Sequence, residues 1–317
     1  MSRQPLGEVG EMDQPEGLAE EAYKFGMNDP FDRLSPIRLV VPQLLRSRQY
    51  MDRIRAFRVP ANSIAVWYLG QNGFILKAFD GLLIGIDLYL SNSCASRFRD
   101  RPYRLDRQLP VFIEPEDLDL DVFITTHSHD DHADPETIRR ITKKDMTRFL
   151  GPFDSVRVYR ECGVAEERCE LLHPGECVDL GSSVRVQGTF ALPTDATDLN
   201  HLGVLLSFSN GITFYDTGDT AFANVLEELL PKDVDVCAIC MNGGFHNLSA
   251  TDAAAIVKML RPRVVVPCHY DMMVNNVGSP MMLKVALQTL GSDARFVLMK
   301  YYRPWIYRAA RPVFLEI

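Results

Sequence analysis

The segment Thr126-His-Ser-His-Asp-Asp-His132 carries three imidazoles, His127, His129 and His132, together with the carboxylate of Asp131 inside six residues. The chain has seven histidines in 317 residues, so a chance His-x-His-x-Asp-His is roughly a one-in-several-thousand event and the motif is specific where a lone histidine is not. Nitrogen and oxygen donors at this density suit one or two divalent cations, zinc or manganese foremost and iron also, with geometry rather than affinity choosing among them. The plain alternative, a solvated loop that happens to collect histidines, is the weaker account. Ions held there would bring the pKa of a bound water down to about 7 and so supply hydroxide as a nucleophile.

Elements must hold such a loop in place. Leu120-Asp-Val-Phe-Ile-Thr125 reads as a strand that ends where the cluster begins, and Asp134-Pro-Glu-Thr reads as an N-cap with proline at the first helical position, so a helix should run through Ile138 and Ile141. The cluster thus lies on a strand-to-helix loop. Earlier, Ile64–Leu69, Gly73–Lys77 and Leu82–Asp87 are short β-rich runs punctuated by glycine. The second half repeats the texture, with strands expected at Val184–Val186, Leu202–Ser207, Ile212–Tyr215 and Val234–Ile239. A helix is expected over Ser249–Leu260, and a buried strand, Arg263–Pro267, should deliver Cys268, His269 and Tyr270 at its end. Two successive blocks of strands and helices predict two sheets stacked face to face with helices outside. Residues 1–58 read as an N-terminal extension, polar at first and helical between Ile37 and Phe57, ahead of one domain over 59–317.

With these elements in place, the residues resemble the metallo-β-lactamase superfamily. Its members combine His-x-His-x-Asp-His with a further histidine, a bridging aspartate and a final histidine. Tyr215-Asp-Thr-Gly-Asp-Thr220 looks like the family's strand-end Gly-Asp-Thr, which implies Asp219 as the bridging carboxylate, and Val264-Val-Val-Pro-Cys-His269 looks like the last strand, which implies His269 as the final ligand. Ile84-Gly-Ile-Asp87 is similar to the strand whose terminal aspartate supports the metal loop. Within the superfamily, Val66–Gly73, Gly163–Cys169, His173–Glu176 and His269–Asn276 resemble the L-ascorbate-6-phosphate lactonase-like branch. The resemblance implies an α+β fold, an αββα four-layer sandwich of two mixed sheets. It also implies substrate contacts at Asn242 and His246 in the Gly-rich loop after a strand, and at Tyr270 beside the last ligand.

One departure stands out. Where the family carries a histidine after an Ala-x-His strand, this chain reads Phe190-Ala-Leu-Pro-Thr-Asp-Ala-Thr-Asp-Leu-Asn-His201. His201 is expected to take the position, with Asp195 as the substitute, since both precede Asp219 on neighbouring strands. Among lesser signals, Cys237 and Cys240 are better explained by packing in a buried strand than by redox chemistry, and Asp134 by helix capping.

Composition bounds the rest. At 46% hydrophobic the chain can bury a large core, and its net charge of −8 argues against a nucleic-acid partner. Arg97, Arg99, Arg101, Arg104 and Arg107 nonetheless cluster, which leaves room for a small anionic substrate. The start holds no signal-peptide core and no segment approaches the ~18 apolar residues of a membrane span, so a soluble, cytoplasmic protein is expected, with seven scattered cysteines kept as thiols. Self-association into a homo-oligomer stays open. The expectation is a metal-dependent hydrolase using a metal-bound hydroxide, with Asp131 as proton acceptor, acting as a lactonase or esterase on a small, sugar-like substrate, phosphorylated or not. A metal-dependent phosphodiesterase and a non-catalytic metal or small-molecule binding module are the alternatives.

Overall fold

The apolar runs become strands because they are rich in β-branched and aromatic residues, and those at Ser63–Gly70, Gly73–Lys77, Leu83–Ile86, Val236–Cys240 and Val264–Cys268 are buried on both faces. A computed structural model describes residues 40–309. Most of the N-terminal extension, including Ile37–Leu39 of the expected helical stretch, lies outside the described residues. The first sheet contains β1 (Ser63–Gly70), β2 (Gly73–Lys77), β3 (Leu83–Ile86), β4 (Val122–Ile124), β5 (Arg148–Gly151) and β6 (Cys169–Leu171). The second contains β7 (Cys177–Asp179), β8 (Val184–Phe190), β9 (Leu202–Phe208), β10 (Thr213–Asp216), β11 (Val236–Cys240), β12 (Val264–Cys268) and β13 (Arg295–Phe296).

Each sheet is mixed. In the first, β1 to β3 run antiparallel and β3 to β6 parallel; in the second, β7 to β10 run antiparallel and β10 to β13 parallel. The sequence order of two successive blocks is broken once. Strand β14 (Pro304–Arg308) crosses back to pair antiparallel with β1, Val66 opposite Trp305, and forms the edge of the first sheet. Only the fold reveals this, because five residues ending near the terminus carry too little periodicity.

The sheets face each other across one core. Ile64, Val66 and Phe74 from the first meet Val204, Leu206 and Phe214 from the second, all fully buried, and the Phe74 and Phe214 rings stand 5.7 Å apart. Burial of each such side chain contributes about 1.5–3 kcal/mol. Helices lie outside, completing the four-layer α+β sandwich. The Ala250–Leu260 helix starts at Ser249 with a reciprocal capping box to Asp252 and buries Ala253, Ile256, Val257 and Leu260. The Val40–Ala56 helix buries Met51 and Ile54, and Arg55 forks onto Asp121 at 2.7 and 2.9 Å. Cys237 and Cys240 lie buried in β11, and all seven cysteines are free.

Candidate metal centre

The site forms where strands of both sheets end. After β4 the chain leaves through Thr125 and Thr126 into the histidine cluster, which Asp134 closes by capping the Pro135–Arg140 helix, accepting from the backbone N–H groups of Glu136 and Thr137 at 3.1 Å each. That helix stops at Arg140, with Ile141 as its extended C-cap. Asp87, at the end of β3 with φ of +45°, accepts from the Thr126 backbone N–H at 2.8 Å, the Thr126 hydroxyl at 2.6 Å and Asn72 Nδ2 at 2.8 Å, and it pairs with His132 Nδ1 at 2.7 Å. The imidazole is thereby oriented with Nε2 toward the site. The two sheets are stitched here as well: the Leu202 N–H donates to the Thr126 carbonyl at 3.0 Å. Gly218 packs against that junction with φ of +56°, where a Cβ would fall 2.7 Å from the Leu202 oxygen and 2.8 Å from Thr126 Cβ.

Three sets of donor atoms converge, each set lying within 4.8 Å: His127, His129 and His201; His127, His132 and Asp219; and Asp131, His132 and His269. Donors around a tetrahedral ion with bonds of ~2.1 Å stand about 3.4 Å apart. His132 Nε2 lies 3.5 Å from both Asp131 Oδ2 and Asp219 Oδ2, and His269 Nε2 lies 3.2 and 3.4 Å from the same two oxygens. These spacings fit a shared cation. So does the state of the donors: His132 Nε2, His201 Nε2 and Asp219 Oδ1 are buried without a hydrogen-bond partner, at a cost of about 1–3 kcal/mol each unless something else engages them.

Electrostatics agrees with the geometry. Burial, reinforced by the other imidazoles, pushes His127 well down, and burial likewise lowers His201, so both present free lone pairs. For His269 burial acts downward, yet Asp219 and Asp131 outweigh it and raise the imidazole to about 9; His132 is raised in the same way by Asp131, Asp219 and Asp87. Burial alone would raise Asp131 and Asp219, but His132 and His269 hold both below the usual carboxylate range. The carboxylates thus create a field that favours positive charge at the centre, proton or metal.

Of the two residues considered for the missing histidine, His201 joins a donor set, its Nδ1 anchored on the Asp219 carbonyl at 3.0 Å. Asp195 Oδ1 stands 3.4 Å from His129 Nε2 but is about half exposed, accepts from Thr197 and belongs to no set. Around the rim, His246 is exposed, with Nδ1 3.0 Å from the Thr194 carbonyl, and Asn242 donates to Asn276 Oδ1 at 2.6 Å while its own Oδ1 stays unpartnered. Tyr270 is buried, its ring 5.9 Å from that of Tyr68, so it packs in the core. Arg97 reaches in from the basic segment to pair with Asp130 at 2.7 Å; burial nevertheless lifts the Asp130 carboxyl to about 6. Gln71 and Asn72 touch the centre and its support, although the sequence placed them only within Val66–Gly73, a stretch of the family resemblance to which no role was attached.

Comparison with known proteins gives the family and the fold. The β-lactamase superfamily domain pattern matches residues 65–269. A protein of Escherichia coli O127:H6 named "Probable L-ascorbate-6-phosphate lactonase" is 24% identical over 81% of this chain and 82% of its own length. A metal-dependent hydrolase of Thermoplasma acidophilum is 25% identical over 57% of this chain and 79% of its own. Among solved structures, a metallo hydrolase from the archaeon Ignicoccus hospitalis superposes with a TM-score of 0.60 at 21% identity, covering 78% of this chain and 99% of that one. An isothiocyanate hydrolase from Delia radicum gut bacteria gives 0.60 at 17% identity, covering 77% and 100%. At such identities the structural likeness establishes the fold alone.

Proposed function

The chain belongs to the β-lactamase superfamily and is a metal-dependent hydrolase, and from that premise we propose that it opens a lactone or related ester on a small, sugar-like molecule, with a phosphate as an admissible substituent. The observation that carries hydrolysis is the run of three donor sets, linked through His127 and His132, with Asp219 in the middle one. The lactone rests on the likeness to the Escherichia coli protein.

In this reading His127, His129, His201 and Asp219 would hold one divalent ion, and Asp131, His132 and His269, with Asp219 beside them, would hold a second, zinc or manganese by donor type and iron as a third choice. Such ions supply an acidified water and a counter-charge for the developing oxyanion. The Asp131 carboxylate, kept ionised by His132 and His269 against the effect of its burial, would accept the attacking water's proton on the oxygen that does not face the ion. Asp87 keeps His132 aimed by holding Nδ1. The unpartnered Oδ1 of Asn242 offers an acceptor for a substrate hydroxyl, and His246 stands at the rim where a ring substituent would pass. Tyr270 supports the His269 turn from the core side. Residues 59–317 are taken as the catalytic domain and 1–58 as an extension. No helix among the described residues is long and apolar enough to cross a membrane, and we place the enzyme in the cytoplasm.

The test is turnover by metal-loaded protein on a lactone panel beside bis-p-nitrophenyl phosphate. Lactone opening that disappears in Asp131→Ala and His132→Ala, with circular dichroism unchanged, is expected. Inactivity across the lactones with phosphodiester turnover would replace the proposal, and no turnover on either would leave a binding module.

A further inference from the structure

Gln71 occupies the Gly70-Gln71-Asn72-Gly73 turn between β1 and β2 and is fully buried, with φ of +54°. Glutamine is an uncommon choice there, since positive φ favours glycine and asparagine. The backbone position is nailed down from two sides. The Gln71 carbonyl accepts from the His269 N–H at 2.6 Å and from the Tyr68 hydroxyl at 2.9 Å.

The side chain reaches straight into the candidate centre. Its Nε2 lies 2.6 Å from Asp131 Oδ2 and 2.9 Å from His269 Nε2, two of the atoms that would ligate an ion. Its Oε1 is buried and has no hydrogen-bond partner. An amide nitrogen set against a carboxylate oxygen and an imidazole nitrogen marks the side from which those two atoms would receive a cation. A half-turn about the terminal torsion, which is broad and roughly two-fold, exchanges nitrogen for oxygen without moving the backbone. That half-turn gives the unpartnered oxygen a cation to bind and removes an N–H that a cation would repel.

Building on the metal-centre reading above, we propose that Gln71 is a further metal-binding residue, its Oε1 adding a neutral oxygen donor to Asp131, His132, His269 and Asp219. A fifth donor of this hardness shifts that position away from four-coordinate zinc and toward manganese or another ion that favours higher coordination. The residue therefore sets which metal the second position takes.

Titration of metal-free protein with Mn2+, followed by electron paramagnetic resonance, and with Co2+, followed by its d–d absorption, tests this directly. Gln71→Ala is expected to leave the position built on His127, His129 and His201 intact, to weaken the second Mn2+ by about ten- to a hundred-fold, and to intensify the Co2+ bands as coordination number falls. Gln71→Glu should tighten Mn2+, which loss of a packing group would not do. Should Gln71→Ala fail to fold, Gln71→Asn keeps a residue suited to positive φ with the amide one methylene short, and carries the same expectation. Unchanged Mn2+ affinity together with an unchanged Co2+ spectrum in these variants overturns the proposal. Wild-type protein that takes up neither ion would instead remove the metal-centre reading on which it rests.

Discussion

His132 Nδ1 stands 2.7 Å from Asp87 Oδ2 with both side chains wholly buried. The same carboxylate fixes the Thr126 backbone and hydroxyl, so a single residue on the neighbouring strand sets both the path of the metal loop and the aim of one ligand. Asp87→Asn removes the charge and one acceptor while keeping the shape. Metal affinity should fall by about ten- to a hundred-fold, as for other supporting partners of ligating histidines. Equilibrium dialysis with elemental analysis measures it, and an affinity within two-fold of wild type would show that Asp87 serves the loop alone.

His201 and Asp195 separate cleanly by mutation. His201→Ala is expected to remove about one ion equivalent, since it deletes a donor from the set with His127 and His129. Asp195→Ala should leave stoichiometry unchanged, because that side chain accepts from Thr197 and is about half exposed. The reverse pattern would exchange their roles.

Asp216 gives the metal-free protein a pH signature. Burial, with Asp87 adding repulsion, pushes its carboxyl up to about 8, although Gly218 N–H and Asn72 Nδ2 donate to it. Between about pH 4 and pH 8 the folded chain therefore keeps a proton that the unfolded chain has lost, and stability falls as pH rises through that window. Thermal melts of metal-free protein should show the decline, and Asp216→Asn should flatten it. A decline of equal slope in the variant would assign the effect to another group.

Phe214 and Phe74 join the two sheets ring to ring. Phe214→Ala should cost about 3–5 kcal/mol in a urea melt, the range for deleting a buried aromatic ring. A loss below about 1 kcal/mol would mean that the sheets close the gap by repacking.

Much of the centre was legible before folding. The density of His127, His129, Asp131 and His132 announces ligands by composition alone, and the runs before Asp87, Asp219 and His269 are apolar enough to read as strands delivering a polar residue at their ends. The Ser249 cap and the Asp134-Pro135 helix start were equally plain, since capping is a local hydrogen-bond pattern. Short elements were not: β5, β6, β7, β13 and the helices Phe153–Glu161 and Pro280–Thr289 carry few periodic positions or none that stand out from their surroundings. Gln71 was also silent, because an amide in a turn is ordinary until something across the fold touches it.

The sequence by itself marked the donor-rich loop of His127, His129, Asp131 and His132 and the strands around it, because donor chemistry and strand periodicity are local properties, while the parts expected of Asp219 and His269 came from the family resemblance. Only the tertiary structure decided that Gln71 attends on Asp131 and His269, and that the support expected of Asp87 falls on His132 Nδ1. It also decided that His201 stands among the histidines while Asp195 does not, and that the last strand returns to the first sheet. Those relationships join residues tens to hundreds of positions apart, and their distances exist only once the two sheets have closed on a common core.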